Sequence, residues 1–200
     1  MVREESVIRF DDVSFEYGHG KPILDDVHFA VRRGTKLAVM GANGAGKSTI
    51  FALMTGRLAP GTGRINRSHG LTVATALQVI PREELELTVQ AFFEKRFDTK
   101  VYDIAPKIDA VLETVHLLAP HDHLVRSFSG GQQARLLLAS ALIQKPNLLL
   151  LDEPTNHINF RHLPVIAQAL DRYEGAMILV SHVPEFVAQI RITDTLDLAK

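Results

Sequence analysis

Nine consecutive residues, Gly41-Ala42-Asn43-Gly44-Ala45-Gly46-Lys47-Ser48-Thr49, carry the densest chemistry in this chain of 200 residues. They fit the phosphate-loop pattern G-x-x-x-x-G-K-[ST]. An apolar run, Lys36 to Met40, precedes them and a helix-like run, Ile50 to Met54, follows. In that setting Gly41, Gly44 and Gly46 let the backbone curl, so that successive N–H groups, Asn43's included, point into one cavity. The helix starting near Lys47 adds its positive end. Lys47 then reaches the β- and γ-phosphates, the Ser48 hydroxyl binds Mg²⁺, and Thr49 supports the α-phosphate side. A nucleoside triphosphate with Mg²⁺ is the implied ligand.

Two further stretches belong with it. Leu148-Leu149-Leu150-Leu151-Asp152-Glu153 is an apolar strand ending in two acids. Beside a phosphate loop, Asp152 would hold Mg²⁺ and Glu153 would orient and deprotonate an attacking water. Ser127-Phe128-Ser129-Gly130-Gly131-Gln132-Gln133 reads as a helix start, with Ser129 at N-cap and Gln132 at N3. A serine and two glycines at such an end form a second anion-binding terminus. The phosphate loop alone leaves GTPases, kinases, helicases and transporters open.

The flanking elements must hold these pieces. Val7–Phe10, Val13–Phe15 and Val27–Val31 read as short β runs, Lys36–Met40 as the strand feeding the loop, and Arg64–Asn66 and Leu71–Gln78 as further strands. From Pro81 to His116 the spacing turns helical. Val89, Phe92, Phe93 and Phe97 share one face, and Ile108, Val111, Leu112, Val115 and Leu118 share another. The expected helices then run from Gly131 to Gln144, Pro164 to Tyr173 and Pro184 to Ile190. Strands are expected at Leu148–Leu151, Ala176–Val180 and Ile192–Leu198. Strand–helix alternation predicts an α/β fold with a mostly parallel central sheet and a ligand beyond the strands' carboxyl ends.

Composition narrows the class. Hydrophobic residues make up 46% and charged residues 22%, as in an ordinary globular domain. A net charge of −1 offers no global basic field, and no basic, aromatic-interleaved stretch supports sequence-specific nucleic-acid binding. There is no cysteine, so disulfides and thiolate metal sites are excluded. No apolar run reaches the ~18 residues of a membrane span, and the charged N-terminus lacks a signal-peptide core. The expected location is cytoplasmic, with docking on a larger assembly allowed. His121 and His123 flank Asp122 in a turn and are read as solvated rather than metal-binding.

Taken in order, the three stretches closely resemble the ATP-binding cassette (ABC) family. Ser127 to Arg135 is similar to its L-S-G-G-Q element, with Phe128 in place of the leucine. The resemblance implies an ABC-type P-loop NTPase: an N-terminal antiparallel β subdomain with the loop core over 1–80, an inserted α-helical subdomain at about 81–145, and the core continued over 146–200. It implies ATP and Mg²⁺ as ligands. It assigns Gln78 to Mg²⁺ and the attacking water, His182 to sensing the γ-phosphate, and Tyr17 to stacking on adenine. It also implies that Ser129, Gly130, Gly131 and Gln132 cover the ATP of a second cassette, in a homodimer or a twin-cassette protein. Asp152-Glu153-Pro154-Thr155-Asn156-His157-Ile158-Asn159 looks like the D-E-P-T-N-H-L-D of the ABC-F group, whose members act on the ribosome. Asn159 stands where that group has aspartate, and Val183 follows His182 where aspartate is common. Three uses fit: an ABC-F-like ribosome-associated ATPase, the nucleotide-binding subunit of a membrane transporter, and an ATP-gated interaction module with little turnover.

Overall fold

The computed structural model describes residues 6–18, 20–76, 79–155, 158 and 160–198. The long apolar runs become the interior strands. β3 (Lys36–Met40), β6 (Leu148–Asp152) and β7 (Ala176–Val180) lie in a five-stranded parallel sheet with β5 (Val73–Ala76) and β8 (Asp194–Asp197), ordered β5-β6-β7-β3-β8. Every residue of β7 and Leu148–Leu151 of β6 are buried. Unbroken apolar strands of this kind are stable only where both faces are covered.

Alternation along those strands assigns the two faces. Leu148, Leu150, Ile178 and Val180 pack toward α1 (Lys47–Met54) and the N-terminal β layer. Leu149, Leu151, Met177 and Leu179 share a core with the helices on the other side. Those helices are α2 (Val89–Glu94), α3 (Ala105–Thr114), α4 (Gly130–Leu142) and α5 (Leu163–Arg172); a short α6 (Pro184–Val187) follows β7. The N-terminal layer is a separate antiparallel sheet, ordered β2-β1-β4, of β1 (Ser6–Phe15), β2 (Leu24–Arg32) and β4 (Thr62–Arg67). The two expected runs at Val7 and Val13 are one strand, bent where the register shifts between Phe10 and Val13 and Asp12 takes φ 52°. Gly63 makes that bend fit: a Cβ there would sit 2.2 Å from the Asp12 carbonyl oxygen.

The helical region departs from the expected pattern in its ends. Pro81–His116 is not continuous helix but a 3-10 turn at Arg82–Glu84 followed by α2 and α3. Leu118, expected to face inward, is 94% exposed. α3 stops at Thr114 and His116 adopts φ 48°, so the chain turns out of helical phase. Leu117 then takes the buried place. Other elements are also shorter than the apolar pattern implied: α4 stops at Leu142, α5 at Arg172 and α6 at Val187, β5 starts at Val73, and β8 covers only Asp194–Asp197. At the base of the sheet a polar clamp joins three elements. Asp171 accepts from Arg191 Nε at 3.0 Å, and the Lys36 ammonium lies 3.4 Å from Asp171 Oδ1.

The Arg191 guanidinium holds the Asp171 carboxyl well below the usual carboxylate range, helped by the Lys36 charge. A depressed folded value means stability that is present above the unfolded value and lost as pH falls. Asp171→Asn should therefore melt below the wild type at pH 7. The gap should narrow on acidification below about pH 4, the unfolded carboxyl value. Thermal melts across that range check it; a gap that stays constant into acid overturns the clamp.

Candidate functional site

The carboxyl ends of β3, β6 and β7 converge on one cleft of about 530 Å³. β3 delivers the loop, which turns into α1 at Gly46. Gly46 has φ 98°, and a Cβ there would lie 2.8 Å from Leu24 Cδ2 and 3.1 Å from Ile23 Cγ2. Only glycine satisfies both the backbone and the space. Gly46→Ala should cost about 1–3 kcal/mol of stability and displace the loop. A denaturant midpoint unchanged from wild type would sink that account.

The Lys47 ammonium donates to the carbonyls of Gly41 (2.7 Å) and Ala42 (3.0 Å), so the side chain lies folded over the loop. Asn43, Gly44, Ser48 and Thr49 line the same cleft. Asp152, the last residue of β6, faces the Ser48 hydroxyl in this cleft. Burial pushes the Asp152 carboxyl up, while the Lys47 charge and the Ser48 hydrogen bond pull the other way. A hydroxyl and a carboxylate side by side, half shielded from solvent, are the hard oxygen donors that Mg²⁺ prefers. The residues present thus fit a triphosphate with its cation.

Glu153 sits at φ 50°, a strained backbone for a residue with a side chain. Its N–H donates to the Val180 carbonyl at 3.0 Å, which ties the end of β6 to the end of β7. The strain turns its carboxylate toward His182. Oε2 accepts the His182 backbone N–H at 3.3 Å, and Oε1 lies 3.1 Å from His182 Nε2. That second approach is off the line of a hydrogen bond, and Oε1 is buried with no hydrogen-bond partner among the described residues. The His182 ring thus lies beside Oε1 without bonding it, and Oε1 is left as an unsatisfied acceptor. A carboxylate with one oxygen anchored and one unsatisfied, at the edge of the cleft, is suited to orient a water and take its proton. Val183 lines the cleft beside it with an apolar side chain.

Other expected residues lie elsewhere. Tyr17 is exposed, edge-on to Phe15 at 4.9 Å between ring centroids, and is not among the cleft-lining residues. Ile23 lines the cleft instead, held by its N–H to the Phe15 carbonyl at 2.9 Å. Nothing in the local sequence marked Ile23, because its place follows from the pairing of β1 with β2. Ser129 and Gly130 are exposed at the start of α4, with Gly131 half-buried, outside this cleft. The Gln132 side-chain oxygen accepts the Ser129 N–H at 2.9 Å, so Gln132 closes its own helix end. Gln78, Asn156, His157 and Asn159 lie outside the described residues.

A family model described as ABC transporter matches residues 24–156. ABC transporter F family member 4 of Arabidopsis thaliana is 34% identical over 189 residues, 92% of this chain and 26% of that protein. ATP-binding cassette sub-family F member 2 of Mus musculus is 32% identical over 192 residues, 92% of this chain and 30% of that protein. The chain therefore spans less than a third of the length of these relatives. The solved structure of cbiO1 from Clostridium perfringens, described as part of the ABC transporter complex cbiONQ, matches with a TM-score of 0.77 at 22% identity. It covers 92% of this chain and 81% of its own, and at that identity it speaks for the fold.

Proposed function

We propose that this chain, which belongs to the ABC transporter family, binds ATP in the cleft at the ends of β3, β6 and β7 and hydrolyses it when a second cassette closes over that cleft. One observation carries the reading. Lys47, the Ser48–Asp152 pair and the Glu153–His182 pair all open on the same 530 Å³ space.

The phosphate-loop amides and Lys47 would bind and orient the β- and γ-phosphates. Ser48 and Asp152 would hold Mg²⁺, which neutralises charge on the phosphates when bound. The Glu153 carboxylate would accept the proton of the attacking water, and His182 would sense the γ-phosphate. Gln78 would contribute at the metal and water. Tyr17 would stack on adenine from the edge of the β layer, which its exposed ring allows.

The exposed Ser129–Gly130 end of α4 supports a shared site. It lies outside its own cleft, and its first-turn amides form an anion-binding terminus. A second cassette, arranged head to tail, would bring that end onto the γ-phosphate and add charge stabilisation there. Mg²⁺–ATP should shift the protein from monomer to dimer in light-scattering chromatography, and Ser129→Glu should abolish the shift by repelling phosphate. A monomer of unchanged mass at saturating ATP would refute the shared site.

The likeness to F family members favours an ABC-F-like role on the ribosome over service as a transporter subunit. Among the described residues no helix is long and apolar enough to cross a membrane. ATP-dependent cosedimentation with ribosomes would support the first role, and recovery with membranes the second.

A further inference from the structure

A second groove, of about 870 Å³, opens at the other ends of the strands, where Lys145 precedes β6 and Tyr173 precedes β7. Its walls are α3, the carboxyl end of α4 and the carboxyl end of α5. The floor is apolar, with Val111, Ile143 and Ala169 buried and Phe97 and Leu142 half-buried beside them. The rim is cationic. Lys107, Lys145 and Arg172 stand exposed around it, and none is ion-paired among the described residues. Glu113 is the one acid among the lining residues, and His116 is nearby on the same side.

Helix dipoles account for part of this rim. Arg172 ends α5 and Lys145 follows α4, where the negative end of a helix favours a cation. Lys107 does not fit that account: it lies in the first turn of α3, where the positive end disfavours it. Unpaired cations brought to one apolar groove from two helices and the loop after α4 complement a ligand that is apolar on one side and anionic at its edges.

We propose that this groove docks an acidic amphipathic segment of a partner protein, its apolar side chains on the floor and its carboxylates against Lys107, Lys145 and Arg172. A polynucleotide fits less well. The Tyr173 ring is only half-exposed, with its hydroxyl held by the Pro146 carbonyl at 2.5 Å, and the chain's net charge is −1, so neither a free aromatic platform nor a general basic field is offered. The site is separate from the ATP cleft, so its test needs no nucleotide.

The probe is a fluorescein-labelled helical peptide of about 16 residues, with leucines at i, i+3, i+4 and i+7 and glutamates along both flanks. Its control carries lysine at every glutamate. Fluorescence anisotropy should give saturable binding of the acidic peptide, on the order of 10–100 μM, and binding of the lysine peptide at least ~10-fold weaker. The triple variant K107E/K145E/R172E should lose about 10-fold in affinity, as expected for three exposed charge contacts. Ala110→Glu, at an exposed position on the groove wall, should weaken the acidic peptide again. Both variants should retain wild-type ATP turnover and melting behaviour, which separates failure here from failure of the ATPase reading. Equal binding of the two peptides overturns the proposal, as does no saturable binding of the acidic one. A single-stranded RNA oligonucleotide that displaces the peptide and loses affinity in the triple variant overturns it in favour of nucleic acid.

Discussion

Glu153→Gln should leave ATP affinity within about twofold of wild type while lowering phosphate release by at least ~100-fold, the usual contribution of a positioned general base. The substitution keeps the size of the side chain and one oxygen. That oxygen can still accept the His182 N–H, now made at 3.3 Å, so the end of β6 should stay in place. What disappears is the second carboxylate oxygen, unsatisfied among the described residues, and with it the negative charge. The amide cannot take a proton from water. If closure on a second cassette precedes hydrolysis, the variant should also trap the ATP-bound dimer. Single-turnover phosphate release and light scattering measured on one sample test both parts. Wild-type turnover would mean that Glu153 is not the base. Lost turnover with a monomeric mass would separate hydrolysis from dimer closure.

Lys47→Ala should weaken ATP binding by about 100-fold, the loss expected when charge-assisted hydrogen bonds to phosphate are removed. The Lys47 ammonium now bonds to the Gly41 and Ala42 carbonyls. A bound triphosphate would have to draw it from those carbonyls onto the phosphate oxygens. The loop itself is shaped by Gly46 and the Ile23–Leu24 side chains behind it, so the variant should fold. Calorimetric titration with ATP and with ADP checks the effect, and the γ-phosphate contact predicts a larger loss for ATP. Equal losses would place Lys47 nearer the β-phosphate alone, and unchanged affinity would remove the phosphate-loop assignment.

The residues of the cleft were legible wherever local chemistry and local conformation coincide. The loop from Gly41 to Thr49 needs glycines at positive φ and a helix directly after it, and both needs are written in consecutive residues. The run Leu148–Leu151 ends in acids because a buried strand has to emerge into solvent somewhere, and the sheet makes that place the cleft. Ser129 with Gln132 at N3 announced a helix start, and the Ser129 N–H to Gln132 contact forms there. Leu118 misled because periodicity carries no information about where a helix stops: the turn at His116, φ 48°, breaks the phase two residues before the expected contact.

Order and type of elements, the parallel character of the sheet and the residue chemistry of the cleft were determined by sequence alone. They depend on contacts within a few positions and on apolar period. Tertiary structure decided the rest. It set Glu153 against His182 across the ends of two strands and put Ile23 at the cleft through a strand pairing. It left Ser129 outside its own cleft, and it gathered Lys107, Lys145 and Arg172 from two helices and the loop after α4 around one groove. Each of these joins residues far apart in the chain, whose meeting is fixed by the packing of whole elements and not by any local preference.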